Sequence, residues 1–195
     1  PLLNGSMQGR SLESALEIYN GASRKATISS FYNQRSFSRA WTSNNSARES
    51  AWQAVEILEQ AALEGLNPNE YHIDEIRQAY VNGDFTLLEL LLTDNVLRYA
   101  SHVRDGQYSP SAVDPHWMID FEVRGDIVTQ LNKALGERRV GEYLRNLVPP
   151  HLVYQNLRRQ LRTHAELANN GGWPAFPSSG MTLKPGMRHP HVALM

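Results

Sequence analysis

Apolar residues recur along the chain at spacings of three and four, the period of a helix with one face turned inward. The clearest run is 47–64, where Ala51, Ala54, Val55, Leu58 and Ala62 share a face. Ser46 followed by Glu49 reads as a capping box at its start, and Gly65 is placed to end it in a left-handed conformation. Asn67-Pro68-Asn69 reads as a turn, and Ile73, Ile76 and Tyr80 predict a shorter helix that Gly83-Asp84 breaks. Thr86 and Glu89 read as a second capping box ahead of 87–104. There Leu88, Leu91, Leu92, Asn95, Tyr99 and His102 line one face, and Leu87, Leu90 and Leu97 thicken it. A helix that is apolar on most sides belongs at the centre of its domain.

Further along, Ile127, Leu131 and Leu135 make 126–135 amphipathic, and 142–147 reads as a short helix stopped by Pro149. Pro150 sits at the first turn of a longer helix over 151–168. That helix is expected to bury Tyr154, Leu157, Leu161, Ala165 and Ala168 and to expose Arg158, Arg159 and Arg162. The Gly-, Pro- and Ser-rich stretch 169–180 reads as a linker or wrapping loop. Alternating patterns are nearly absent. The chain is therefore expected to be mainly α, a single helical domain of five to seven helices, with room for short strands near 37–42 and 117–121.

Composition adds bounds. A chain of 195 residues with 41% hydrophobic and 20% charged positions can bury one sizeable core without metals or disulfides. No apolar run is long enough to form a transmembrane segment. The absence of cysteine excludes a disulfide framework, a thiolate zinc site and a cysteine nucleophile. The net charge of −1 names no partner, but its distribution is uneven. Residues 46–94 carry ten Asp/Glu against Arg48 and Arg77, whereas 124–162 carry eight Lys/Arg against Asp126, Glu137 and Glu142. Complementary halves or solvated helix faces explain this more simply than a polyanion site. Aromatic residues do not interleave with the arginines, so a nucleic-acid surface is not expected. The N-terminus has no secretory signal pattern, and Gly5-Ser6-Met7 resembles a cloning remnant.

The usual chemical motifs are missing. No HExxH or other i, i+4 histidine pair occurs, and His189-Pro190-His191 has no acidic or histidine companion nearby, so neither a metal nor a cofactor is expected. There is no G-x-S-x-G elbow, no S-x-x-K and no glycine-rich phosphate loop. Glu56 and Glu59 lie on a continuous polar face, and His102, on an apolar face, reads as a hydrogen-bonded core residue. Trp41, Trp52 and Trp117 are expected to pack; Trp173, in a loop, has the best case for stacking on a sugar ring.

Seven segments, in order, resemble one family. They are Phe31-Tyr32-Asn33-Gln34-Arg35 with Ala40-Trp41-Thr42; Glu64-Gly65-Leu66-Asn67-Pro68-Asn69-Glu70-Tyr71-His72; Leu91-Leu92-Thr93-Asp94 with Leu97-Arg98-Tyr99-Ala100; Val113-Asp114-Pro115-His116-Trp117; Pro149-Pro150-His151 with Tyr154; Gly171-Gly172-Trp173-Pro174; and Leu183-Lys184-Pro185-Gly186-Met187-Arg188. This pattern is similar to the scaffold domain of the large multidomain murein L,D-transpeptidases of Gram-negative bacteria. The resemblance implies a division into an N-terminal segment, 1–25, partly tag-derived; a helical scaffold domain, 26–181; and 182–195 as the lead-in to a peptidoglycan-binding module not present here. It implies a periplasmic location and a non-catalytic role, because the family's cysteine motif matches no position. The expected partners are the peptidoglycan-binding and catalytic domains of the same parent protein, with weak contact to peptidoglycan through Arg158, Arg159, Arg162 and Trp173. Two other classes remain open: an independent helical module binding a wall polymer or a protein, and a carboxylate-dependent wall hydrolase.

Overall fold

The computed structural model describes residues 7–19, 24–43, 45–108, 114, 116, 125–173, 182 and 184–189. Among them run eight α-helices: α1 (Leu12–Ile18), α2 (Lys25–Asn33), α3 (Glu49–Glu59), α4 (Ile73–Val81), α5 (Phe85–Asp105), α6 (Ile127–Gly136), α7 (Val140–Asn146) and α8 (Leu152–Asn169). Short 3-10 turns at Gln60–Glu64 and Pro68–Tyr71 join α3 to α4. The fold is mainly α, as the periodicity implies, with one helix more than expected. The addition is α1, whose Leu12, Ala15 and Leu16 are buried.

The longest helix, α5, is the hub. It packs against α1, α2, α3, α4 and α6, while α3 also packs on α7. With neighbours on several sides, α5 buries thirteen residues, among them Leu88, Leu90, Leu91, Leu92, Val96 and Leu97. Segment 7–19 belongs to this core: Met7 is fully buried, and its backbone N–H donates to Asp84 Oδ2 at 2.7 Å.

The central helix also buries polar side chains: Thr86, Glu89, Thr93, Asp94 and Asn95. A buried carboxylate is tolerable only when donors replace its lost water. Glu89 has five. The backbone N–H groups of Ala40, Trp41 and Thr42 donate to it, as do the hydroxyls of Thr42 and Tyr32. Beside it, Trp41 Nε1–H donates to Thr93 Oγ1 at 2.8 Å. Asp94 accepts from Tyr19 at 3.0 Å and from Arg24 at 2.8 Å, fastening the chain around α1 and α2 to the same helix.

This network accounts for several departures from the sequence expectation. Three successive N–H groups converging on one carboxylate cannot alternate sides as a strand requires. The stretch 37–42 accordingly forms no strand, and only an isolated bridge joins Thr42 to Ala47. The other stretch, 117–121, lies outside the described residues. Glu89 is not a capping residue. Asp84 caps α5, accepting from Leu87 N–H at 3.0 Å, and Thr86 accepts from Arg39. Nor does Ser46 cap α3: its hydroxyl pairs with that of Ser43, and Arg48 occupies the cap position without a side-chain bond.

Gly65 adopts φ +77°, and the N–H groups of Gly65 and Leu66 return to Ala62 and Ala61, closing the turn as expected. A β-carbon there would approach nothing nearer than Leu161 Cδ2 at 3.9 Å, so backbone conformation alone penalises substitution. Gly65→Ala should cost about 1 kcal/mol in urea denaturation; an unchanged midpoint would refute it. Glu89→Ala strands the three buried amides of Ala40, Trp41 and Thr42, and a loss of about 3–5 kcal/mol is expected. A loss below about 1 kcal/mol would show that water or another acceptor can take their place.

Candidate functional site

The sequence places its candidate contacts on α8 and just beyond. Among the described residues, the main packing partner of α8 is the 3-10 turn Gln60–Glu64. The attachment is polar. Glu64, 4% exposed at its side chain, pairs with Arg158 Nη2 at 2.6 Å and accepts from the Tyr154 hydroxyl at 2.8 Å. Burial, then the bond to Glu64, push the Tyr154 phenol well above its ordinary pKa, so it stays a donor. Nearby, burial and the charge of Glu64 push Tyr99 up to about 12.

This anchor corrects two expectations about α8. No residue of the helix is buried: Leu152, Val153, Leu157 and Leu161 are 81%, 71%, 64% and 40% exposed. Arg158 does not share a free surface with its neighbours, because it turns inward to Glu64. Arg159 and Arg162 are exposed and form no ion pair among the described residues. The reason is geometric. Residues 154 and 158 lie one turn apart and take the inward face, so Val153, Leu157 and Leu161, at four-residue spacing, form a ridge beside it.

Beyond the last helical residue, Asn169, Gly171 takes φ +98° and Gly172 N–H returns to Leu167 at 2.9 Å, closing the helix. Trp173 follows and is 75% exposed, so it is available for contact. Of the other tryptophans, Trp41 is fully buried and Trp52 stacks edge-on against Tyr80, while Trp117 lies outside the described residues.

Catalytic candidates gain no support from the geometry. Among the described residues no three His, Asp or Glu side chains could share a metal; His191 lies outside them. His102 hydrogen-bonds Tyr71 at 3.0 Å, and burial followed by the Arg24 charge pushes its pKa down. Asp126 is pushed down chiefly by the Thr129 hydroxyl, and Glu142 by Arg139. A general acid in a hydrolase needs the opposite shift.

One feature escaped sequence reasoning. A cleft of about 430 Å³ opens between the 34–40 turn, the start of α3 and the end of α6, lined by Arg35, Arg39, Arg48 and Arg138. The signal was available: between Glu17 and Glu49 the sequence has five basic residues and no acidic one.

A protein-family model described as Scaffold domain matches residues 26–161, more than two thirds of the chain. No match to this chain was found among curated proteins or among solved structures.

The exposed ridge and the polar anchor should respond differently to mutation. Leu157→Ser is expected to change stability by less than about 0.5 kcal/mol. Arg158→Ala leaves Glu64 without its cation and should cost about 1–2 kcal/mol, reduced from a fully buried pair because Arg158 is 33% exposed. A larger loss for Leu157→Ser than for Arg158→Ala would show that apolar contact, not the ion pair, holds α8.

Proposed function

The chain belongs to the scaffold-domain family, and from that premise we propose that it is the non-catalytic scaffold region of a peptidoglycan L,D-transpeptidase. In this reading it orients the peptidoglycan-binding and catalytic domains of its parent protein in the periplasm, where they form 3-3 cross-links during wall biogenesis. Residues 26–181 constitute the scaffold, and 182–195 lead into the peptidoglycan-binding module. The observation that carries the proposal is the ridge of α8. Val153, Leu157 and Leu161 expose an apolar stripe beside the polar face through which the helix is fastened. Apolar stripes of this kind mark surfaces that neighbouring domains cover. The seven ordered segments that resemble the transpeptidase scaffold give the reading its particular chemistry. Thr182 and 184–188 are all exposed, as befits a connection between modules.

A scaffold contributes to catalysis by holding reactants in a productive orientation, an effect worth several kcal/mol when positioning is rigid. The role asked of the present residues is to keep two domains at a fixed angle. Contact with the wall polymer itself falls to Arg159, Arg162 and Trp173, with Arg158 held back by Glu64. Exposed guanidinium groups act through charge that salt screens within roughly 8 Å at physiological ionic strength.

Two measurements test the proposal. In the parent enzyme, Leu157→Glu should lower 3-3 cross-linking about tenfold or more without shifting the denaturation midpoint of the isolated chain. Unchanged cross-linking would overturn the domain-positioning role. Sedimentation with purified sacculi should show weak binding by the isolated chain that disappears at high salt and in the Arg159→Gln/Arg162→Gln variant. Binding that persists at high salt but is lost in Trp173→Ala would assign the contact to a shaped glycan site.

A further inference from the structure

The arginine cleft lies apart from α8 and the transpeptidase reading does not use it. Its walls come from the 34–40 turn, the first turn of α3 and the end of α6. Arg35, Arg39, Arg48 and Arg138 form no ion pair among the described residues, and three of them are held by neutral acceptors. Arg35 donates to the carbonyls of Ser38 and Arg39 and to Asn132 Oδ1. Arg39 donates to the Phe85 carbonyl and to the hydroxyls of Thr42 and Thr86. Arg48 donates to the Thr42 carbonyl at 3.1 Å. Carbonyls and hydroxyls fix a guanidinium group in place without neutralising it, so the cleft holds preorganised positive charge.

Two further observations point the same way. No side chain caps α3, and Glu49 and Ser50 of its first turn line the cleft. Backbone strain is also concentrated here. Of the four non-glycine residues with left-handed φ among the described residues, Ser36 and Phe37 lie between Arg35 and Arg39, and Arg138 lines the cleft itself. At Arg138 the strain is unforced. The N–H groups of Arg138 and Arg139 return to Leu135 and Ala134 in the turn that normally places glycine at the left-handed position, here φ +57°. Arg138 lines the cleft from a position where glycine would be more comfortable.

We propose that this cleft binds a small dianionic ligand, its oxyanions held by Arg35, Arg39, Arg48 and Arg138 and by the amides at the start of α3. The charge sets the ligand class. The lining carries four arginines against Glu49, and the buried Glu89 behind Ala40 acts by its charge on Arg35. Two positive charges remain unbalanced. A phosphate monoester or a pair of neighbouring carboxylates supplies two negative charges, and the fork geometry of arginine suits both. The inference does not rest on the scaffold reading.

Amide NMR titrations of the whole chain with inorganic phosphate and, separately, succinate test it, each against sodium chloride at matched ionic strength. Saturable shifts are expected at Glu49, Ser50, Gly136 and Arg138. Arg48→Gln and Arg138→Gly should each weaken binding about tenfold or more. Arg138→Gly should at the same time raise the denaturation midpoint or leave it unchanged, which separates lost binding from lost folding. Tighter binding of phosphate assigns a phosphate ligand, and tighter binding of succinate assigns paired carboxylates. Shifts that chloride reproduces, shifts that do not saturate, or an Arg138→Gly variant that binds as tightly as the parent would overturn the proposal.

Discussion

A carboxylate taken out of water has to be answered by donors, and most of this fold is arranged around that requirement at Glu89. The residue sits on the fully buried side of α5, and its donors come from the chain 47–57 positions earlier. Satisfying it draws Ala40, Trp41 and Thr42 onto the central helix and fixes where α3 can begin. Trp41 then fills the adjoining space and bonds Thr93. Asp94, on the following turn of α5, does the same for Tyr19 and Arg24. Apolar burial supplies the bulk of the driving force, but it is nondirectional. The buried acids specify which segments meet α5 and at what height.

The same logic explains why α8 differs from the other helices. Its attachment uses one acid, Glu64, met by a cation and a phenol. Arg158 and Tyr154 lie on one side of the helix, so Val153 and Leu157, on the flank beside them, stay largely exposed while Leu161 lies near Gly65. This pair also joins the acidic stretch 46–94 to the basic stretch 124–162. It is one cross-pair among the described residues, however. Lys133 and Arg139 pair with Glu137 and Glu142 inside the basic stretch, and Arg77 pairs with Glu59 inside the acidic one. Pairs inside a stretch cancel, so the excess charge of each stretch is left mostly unneutralised by the other, and surface pairs of this kind contribute little.

Most helices were legible because helical periodicity is a local signal, and so was the glycine stop at Gly65. What sequence reasoning lost was long-range. Ser46–Glu49 and Thr86–Glu89 satisfy the capping-box spacing, yet in both the local partner is displaced by a distant one or by a nearer loop residue. Periodicity also states that α8 has an apolar face without stating what covers it; reading Leu157 and Leu161 as buried assumed that the cover lay within these residues. Of the four candidate contact residues, Arg159, Arg162 and Trp173 are exposed as read, and only Arg158 is claimed by the body of the domain.

Departures from local rules are informative when they gather in one place. Left-handed Arg138 in the cleft lining, and Ser36 and Phe37 in the turn between Arg35 and Arg39, each cost stability, and they lie at or beside one cleft. The core departs from local rules too, at the buried and unbonded Asn95 Oδ1 and Arg98 Nε, yet follows them elsewhere. Its buried acids at Glu89 and Asp94 are supplied with donors, and its glycine turn at Gly65 uses glycine. Stability sets the architecture around α5. The cleft and the α8 ridge are the two surfaces where that architecture is left incomplete, one in charge and the other in apolar contact.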